Sequence, residues 1–123
     1  MIDIKIIILI LFIHWIADFV FQTDKMATGK SKNWNDLLQH TGLYSFIWLL
    51  FTIFSSAFLH LDARILLFAP ITFVCHTATD YYTSRVNSQL WENKEVHNFF
   101  VSIGFDQFLH YTQLILTYWL LTR

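Results

Sequence analysis

The sequence feature that most constrains the fold is the segment Ile4–Gln22, IKIIILILFIHWIADFVFQ, an apolar run long enough to cross a lipid bilayer. Near its end, His14 and Asp18 stand four residues apart, and two such residues project from nearly the same face of a helix. An imidazole and a carboxylate are costly inside lipid unless they have partners. The segment therefore predicts a membrane helix, retained rather than cleaved, that carries part of a functional site.

The composition is typical of a single helical membrane domain, residues 1–123. Hydrophobic residues make up 55% of the chain and charged residues 14%, whereas soluble domains carry about 25% charged residues. Only three glycines and one proline interrupt the chain. With a net charge of −1 and no basic patch, nucleic acid is not an expected partner, and the single cysteine, Cys75, cannot form an internal disulfide.

Four apolar spans predict an all-α fold, an integral membrane four-helix bundle with both termini on the same side. Pro70, inside the third span, predicts a kink about one turn before His76. The predicted N-cap of the second span is Asn35 or Asp36, and a short interfacial helix is expected around Trp91, in the loop after the third span. The spans are expected at about residues 4–22, 37–61, 64–82 and 98–121.

Basic residues in the loops predict the orientation of the bundle. Three basic residues lie on the side of the termini and five on the side of the first and third loops, namely Lys25, Lys30, Lys32, Arg85 and Lys94. The positive-inside rule places the side with five in the cytoplasm. The expected location is thus the bacterial inner membrane, as a multi-pass protein with both termini outside.

The His-x-x-x-Asp spacing of the first span recurs twice. It returns at His76/Asp80 and, in reversed order, at Asp106/His110. In an up-down-up-down bundle, the ends of spans one and three share a side with the starts of spans two and four, so these residues fall in one half of the membrane. Metal sites in helix bundles are built in this way, and the predicted ligands are His14, Asp18, His40, His76, Asp80, Asp106 and His110.

Charge balance favours metal over bare carboxylates. Three ionised aspartates in a low-dielectric interior repel one another and stay uncompensated. Two divalent cations and one bridging hydroxide would make such a cluster neutral, so two ions are expected. Imidazole with carboxylate suits zinc first, with Fe(II) or Mn(II) as further candidates, and the lack of a set of thiolates argues against Cu(I) and iron–sulfur clusters.

The same histidines and aspartates could also have purely structural roles. A single intramembrane His–Asp pair is often a hydrogen bond between helices, and His40 alone is as readily an interfacial histidine as a ligand. Three pairs at matching depth, together with His40, favour a shared metal centre. His60 is interpreted as interfacial on the opposite side, His97 as a loop residue and Cys75 as a small core residue.

Several stretches carry a resemblance to a known family: HWIADFVFQTDKMATGK, the QH at 39–40, the HxxxD at 76–80 and FDQFLH at 105–110. Together they resemble, over nearly the whole chain, the family catalogued as domain of unknown function 3307, small bacterial and phage inner-membrane proteins. Its broader kin resemble membrane-bound metal-dependent hydrolases, so the resemblance implies a metal site and leaves the substrate open. The matching positions are His14, Asp18, Gln22, Lys30, His40, His76, Asp80, Asp106, Gln107 and His110.

The first functional hypothesis is a metal-dependent hydrolase at the cytoplasmic interface. Its substrate would be a membrane lipid or a lipid-linked molecule: a phosphoester, an acyl ester or a pyrophosphate. The predicted catalytic residues are Asp18, Asp80 and Gln107. Residues that could meet an anionic head group are Gln22, Lys25 and Lys30, although the lysines also fit ordinary positive-inside topology.

Two other classes of function stay open. Chains of His and Asp also conduct protons or metal ions, but a path needs polar residues across the other half of the membrane, where Ser55, Ser56, Thr72 and Thr117 are sparse. Alternatively, the chain is a phage or host-defence interaction module whose metal only stabilises the bundle. A homo-oligomer fits each of these hypotheses.

Overall fold

The structure is a computed structural model that describes residues 2–123, and every regular element in that range is helical. The prediction of an all-helical fold is confirmed. In chain order the elements are α1 (Ile4–Trp15), a π-helical turn (Ile16–Val20), α2 (Asp24–Gly29), α3 (Trp34–Leu59), a 3₁₀ turn (Ala63–Leu67), α4 (Phe68–Glu92) and α5 (Val96–Thr122).

The four long helices pack in a ring. Helix α4 lies between α3 and α5, α1 packs on α5, and the π turn closes the ring against α3. Arg64, in the 3₁₀ turn, donates a hydrogen bond to the Arg123 carbonyl at 3.4 Å. Ile6, Ile65 and Tyr118 line one small cavity. Both ends of the described chain therefore lie at the same end of the ring.

Side-chain caps fix where the helices begin. Asn33 caps α3, because its Oδ1 accepts a hydrogen bond from the Asp36 backbone N–H at 2.8 Å. The predicted caps Asn35 and Asp36 were therefore wrong, since both lie inside the first turn. His60 ends α3 in a left-handed conformation, with φ of 51°. The cap at Asn33 starts α3 early enough to bring His40 two turns into the helix.

Helix α4 differs from its prediction at both ends. Pro70 lies in its first turn, where the missing N–H is one of the donors a helix leaves free, so the proline does not interrupt the helix. The loop predicted from residue 83 onward is helical as far as Glu92, and Trp91 lies in the last turn. No glycine or proline interrupts this stretch, and the chain turns only near Lys94, whose φ is 60°.

The interior is more polar than the surface. Among residues 2–123, fourteen polar or charged side chains are buried against nine apolar ones, while thirty-one large apolar side chains are exposed. The apolar end of the ring is formed by Ile10, Trp48, Phe68 and Leu114, all nearly fully buried. Most of the charged interior lies at the opposite end, called here the site end.

Within the described residues, one helix, Trp34–Leu59, is both long and apolar enough to cross a membrane, with a mean hydropathy of 1.8 over an 18-residue stretch of it. The four predicted spans are therefore not confirmed on length and hydropathy. Helix α1 has only 12 residues before the π turn. Helices α4 and α5 carry the polar side chains that face inward, which lowers their average hydropathy.

Candidate metal centre

Four side-chain atoms at the site end surround a common point: Asp18 Oδ1, His40 Nε2, His76 Nε2 and Asp80 Oδ2. His40 Nε2 lies 3.0 Å from the Asp18 oxygen, 3.1 Å from the Asp80 oxygen and 3.2 Å from His76 Nε2. His76 Nε2 lies 3.4 and 3.8 Å from the same two oxygens. Tetrahedral ligands about 2.0–2.1 Å from a zinc ion would lie about 3.3–3.4 Å apart. These atoms form what we call the four-ligand cage.

The cage fits a cation better than a hydrogen-bond network. Asp18 Oδ1 is buried and accepts no hydrogen bond of suitable direction, although the nitrogens of His40 and His76 lie within 3.4 Å of it. The two imidazole nitrogens also face each other, so at least one of them presents a lone pair. Lone pairs that converge on a buried point are the donor set that zinc, Fe(II) or Mn(II) binds.

The π turn brings Asp18 into the cage. The Phe21 backbone N–H donates to the Ile16 carbonyl at 3.0 Å, an i to i+5 hydrogen bond that widens the helix at this point. Such turns inside α-helices are frequent at functional sites. The opposite wall comes from α4, where His76 and Asp80 lie one turn apart.

A second group of possible ligands adjoins the cage and shares Asp80 with it. His110 Nε2 lies 3.1 Å from Asp80 Oδ1 and 3.3 Å from Asp106 Oδ1. Helix α5 supplies His110 and Asp106 one turn apart, and both are buried. Six of the seven predicted ligands are thus brought together, in two adjoining groups.

His14, the seventh predicted ligand, lies beside the two groups and has both ring nitrogens engaged. Its Nε2 donates a hydrogen bond to Gln107 Oε1 at 2.8 Å. Nδ1 of the neutral ring therefore accepts a hydrogen bond from the Tyr44 hydroxyl group at 2.7 Å. The Tyr44 ring in turn stacks on His76, with centroids 3.8 Å apart and planes within 1°. His14 and Tyr44 therefore orient a cage ligand rather than supplying one.

Gln107 connects the two groups. Its amide N–H₂ donates to Asp18 Oδ2 at 3.3 Å and to Asp106 Oδ2 at 3.1 Å. Outer hydrogen bonds of this kind hold ligands in place around a metal ion. Sequence reasoning did not identify Tyr44, because nothing distinguishes it from the other aromatic residues of an aromatic-rich chain.

Lys30 reaches the cage from the segment between α2 and α3. Its Nζ lies 2.8 Å from Asp80 Oδ2, and the side chain is 18% exposed. Burial lowers the pKa of Lys30, but the carboxylates of Asp80 and Asp18 outweigh burial and raise the pKa above its usual value. The ammonium group therefore belongs to the charge balance of the site.

The other two lysines of this segment, Lys25 and Lys32, lie in different surroundings. Lys25 lies 3.7 Å from Asp36 and its side chain is 71% exposed, so the structure places it away from the site. Lys32 instead lines a cleft beside the centre. Among the three lysines, the family resemblance selects Lys30, but no sequence signal distinguishes Lys32 from Lys25, because both lie in one polar segment.

This cleft has a volume of about 580 Å³. Two of the predicted substrate-binding residues, Gln22 and Lys30, line it. So do three residues of the centre, Asp18, Asp106 and Gln107. Its remaining walls are partly polar and partly apolar, and among their residues are Lys32, Thr83, Ser84, Asn87, Phe19, Phe99 and Phe100.

Comparison with known proteins places the chain in one family and gives no activity. A family model described as Protein of unknown function (DUF3307) matches residues 6–123. No curated protein and no solved structure matches the chain. The chemistry of the site follows from its own groups: a buried cage of carboxylate and imidazole ligands that adjoins a cleft.

Proposed function

The chain belongs to the family described as protein of unknown function, DUF3307, and from the geometry of its site we propose that it is a membrane-embedded, metal-dependent hydrolase. The proposed substrate is a lipid-linked phosphoester, ester or pyrophosphate at the cytoplasmic face of the bacterial inner membrane. The observation that carries the proposal is the four-ligand cage, since its ligand Asp18 also lines the cleft. A cation and a substrate can therefore meet at one carboxylate.

The distribution of polar and apolar side chains supports a membrane location with several spans. Soluble proteins bury apolar residues and rarely expose large contiguous apolar patches. Here the buried side chains are mostly polar, and the outward surface includes Phe100, Phe105, Phe108 and Val74, each more than half exposed. An apolar outer surface of this kind is suited to contact with lipid. The average hydropathy of α4 and α5 understates their outward faces, because their polar residues point inward.

The walls of the cleft fit an amphiphile that carries an anionic group. Lys30 and Lys32 both line the cleft and supply two cations. Phe19 and Phe100 line the cleft and are 46% and 63% exposed, so the apolar wall continues to the outer surface of the ring. A head group could bind at the lysines while its chain stays in the lipid along the phenylalanines.

The protein's own groups can hold a cation, position a substrate and accept a proton. When bound, a divalent cation supplies Lewis acidity that activates water and polarises the oxygen under attack. Asp106 faces the cleft outside the four-ligand cage, where its carboxylate can accept a proton from water. Thr83 donates to its Oδ1 at 2.6 Å and Gln107 to its Oδ2 at 3.1 Å, which fixes the plane of the carboxylate.

The experiment that tests the proposal combines metal analysis with a panel of substrates. Protein purified in detergent without chelator is assayed for its metal content and for hydrolysis of a lipid phosphomonoester, an acyl ester and a lipid diphosphate. We expect bound divalent metal and cleavage of a substrate on the panel, with cleavage lost on chelation and restored by zinc. The variant His76→Ala should lose both, whereas His97→Ala, at an exposed histidine, should keep both. Cleanly purified protein that holds no metal would refute the proposal.

Conduction of protons or metal ions is less well supported by the structure. The polar residues beyond the site, Gln113, Thr72 and Thr117, bond to one another within hydrogen-bond distances of 3.2 Å or less. Beyond them, the apolar end of the ring is filled by large apolar side chains. The alternative stays a prediction, and a flux assay in proteoliposomes would separate it from the hydrolase.

A further inference from the structure

We infer that the centre binds one divalent ion rather than two, and that Lys30 supplies the positive charge a second ion would otherwise bring. The inference rests on the proposed metal centre and deepens it. The charge balance expected from the sequence counted three aspartates and no lysine. The structure adds the Lys30 ammonium, 2.8 Å from Asp80, the carboxylate shared by the two ligand groups.

Proton positions follow from the cage itself. To bind a cation, His76 must present a lone pair at Nε2, so its proton lies on Nδ1. This Nδ1 lies 3.1 Å from His110 Nδ1, to which it donates. The proton of a neutral His110 then lies on Nε2, which donates to Asp80 Oδ1 at 3.1 Å.

The second group therefore lacks its nitrogen ligand. Once His110 Nε2 carries a proton, two carboxylates are left for a second ion. A second ion would need His110 to lose its remaining proton or the hydrogen bond between the two histidines to break. His110 thus acts as a positioning residue beside the four-ligand cage, and Asp106 lies outside the cage as the proton acceptor of the proposed reaction.

Formal charge leads to the same result independently. Asp18, Asp80 and Asp106 contribute three negative charges and Lys30 one positive charge, which leaves −2 with neutral histidines. One divalent ion makes the site neutral. A second ion would leave a buried charge of +2, or of +1 with a bridging hydroxide, and an uncompensated buried charge is costly.

This arrangement gives Lys30 a role in the cleft. Its ammonium contacts a ligand of the cage and also lines the cleft, so it stands where an anionic substrate group would approach the ion. In enzymes with two metal ions, the second ion provides positive charge at that position. We therefore assign to Lys30 the electrostatic part of that role.

Metal counting tests the inference. Detergent-purified wild-type protein is titrated with Zn²⁺ and with Mn²⁺, and bound metal per chain is measured by mass spectrometry. We expect saturation at one ion per chain, and the Mn²⁺ form should show the electron paramagnetic resonance pattern of an isolated ion rather than a coupled pair. Two ions per wild-type chain would overturn the inference and leave the hydrolase proposal standing. No ion at all would refute both.

Variants sharpen the same measurement. Asp106→Asn should still bind one ion, with affinity lowered about tenfold as for other outer partners of metal ligands, whereas a two-ion centre would fall from two to one. Lys30→Gln should bind the ion more tightly, because the charge of the site becomes −3. Lys30→Arg should keep the wild-type affinity. Weaker binding in Lys30→Gln than in Lys30→Arg would contradict the charge assigned to Lys30.

Discussion

At the apolar end of the ring, Trp48 and Phe68 pack with ring centroids 5.0 Å apart, and the cavity beside them measures only about 40 Å³. At the site end, by contrast, the helices meet through carboxylates, imidazoles and Lys30, beside a cleft of about 580 Å³. Close packing stabilises the first end without any ligand. The site end brings several carboxylates together, and the positive charge of Lys30 offsets only part of their negative charge. The packing of the helices at this end therefore depends on a bound cation. The two ends should therefore respond to different changes.

The largest expected effect comes from His76→Ala. Removing this nitrogen opens the four-ligand cage and leaves the carboxylates of Asp18 and Asp80 facing each other without an ion. Bound metal should fall to background, and protection from hydrogen exchange should drop in α3 and α4 near His40 and Asp80 but not near Trp48. If the exchange rate rose equally at both ends, the proposed independence of the ends would be wrong.

Trp48→Ala tests the opposite end. The side chain is almost fully buried against Phe68, and its removal should lower the free energy of unfolding by about 3–5 kcal/mol through lost packing and a new cavity. Metal content should not change. A matched control is Trp119→Ala, whose side chain is 41% exposed, with an expected change within about 0.5 kcal/mol. Unfolding in detergent followed by circular dichroism gives both values.

Gly29→Ala should disturb the site end from outside the cage. A β-carbon at this position would collide with the Asp36 side chain, so the segment that carries Lys30 must shift. We expect a loss of about 1–3 kcal/mol in the free energy of unfolding from overpacking. Gly42→Ala is the control, because a β-carbon there meets no atom within 4 Å and alanine should stabilise the helix by up to about 1 kcal/mol. Equal effects of the two substitutions would contradict the predicted contact.

The smallest effect in this series is expected for Gln107→Ala. The variant loses the hydrogen bonds to Asp18, Asp106 and His14 but no ligand atom. Metal affinity should fall about tenfold, measured by competition with a chelator of known affinity. Gln113→Ala removes the same side chain two turns along α5 and should leave the affinity unchanged. A similar loss in both variants would mean that the effect is on the helix rather than on the centre.

Much of the centre could be predicted from the sequence, because polar residues in apolar helices are few and their spacing is informative. The recurring His-x-x-x-Asp pattern and the alternating direction of the helices together placed six residues in one cluster. The role of His14 could not be predicted in this way. Its exclusion from the cage depends on Tyr44 and Gln107, which occupy its two ring nitrogens, and only their positions in space show this.

The all-helical class of the fold could be predicted from the sequence, but the ends of the helices were predicted less well. Average hydropathy ends a span where polar residues begin, so the stretch after Tyr82 was interpreted as a loop. In the structure it stays helical because residues such as Ser84 and Asn87 line the cleft on one face of α4. The contact between Lys30 and Asp80 was equally hidden, since it depends on how α2 and Gly29 fold back over α3.

The π turn at Ile16–Val20 lets one helix serve two purposes at the centre. It accommodates one more residue than an α-helical turn, and the bond from Phe21 N–H to the Ile16 carbonyl closes it. Because the wide turn absorbs that residue, α1 keeps His14 inward while Asp18 reaches the four-ligand cage. Deleting Ala17 would restore an α-helical turn and shorten the spacing of His14 and Asp18 from four residues to three. The carboxylate would then leave the helix in a different direction, so the length of this one turn sets whether the first helix contributes a ligand.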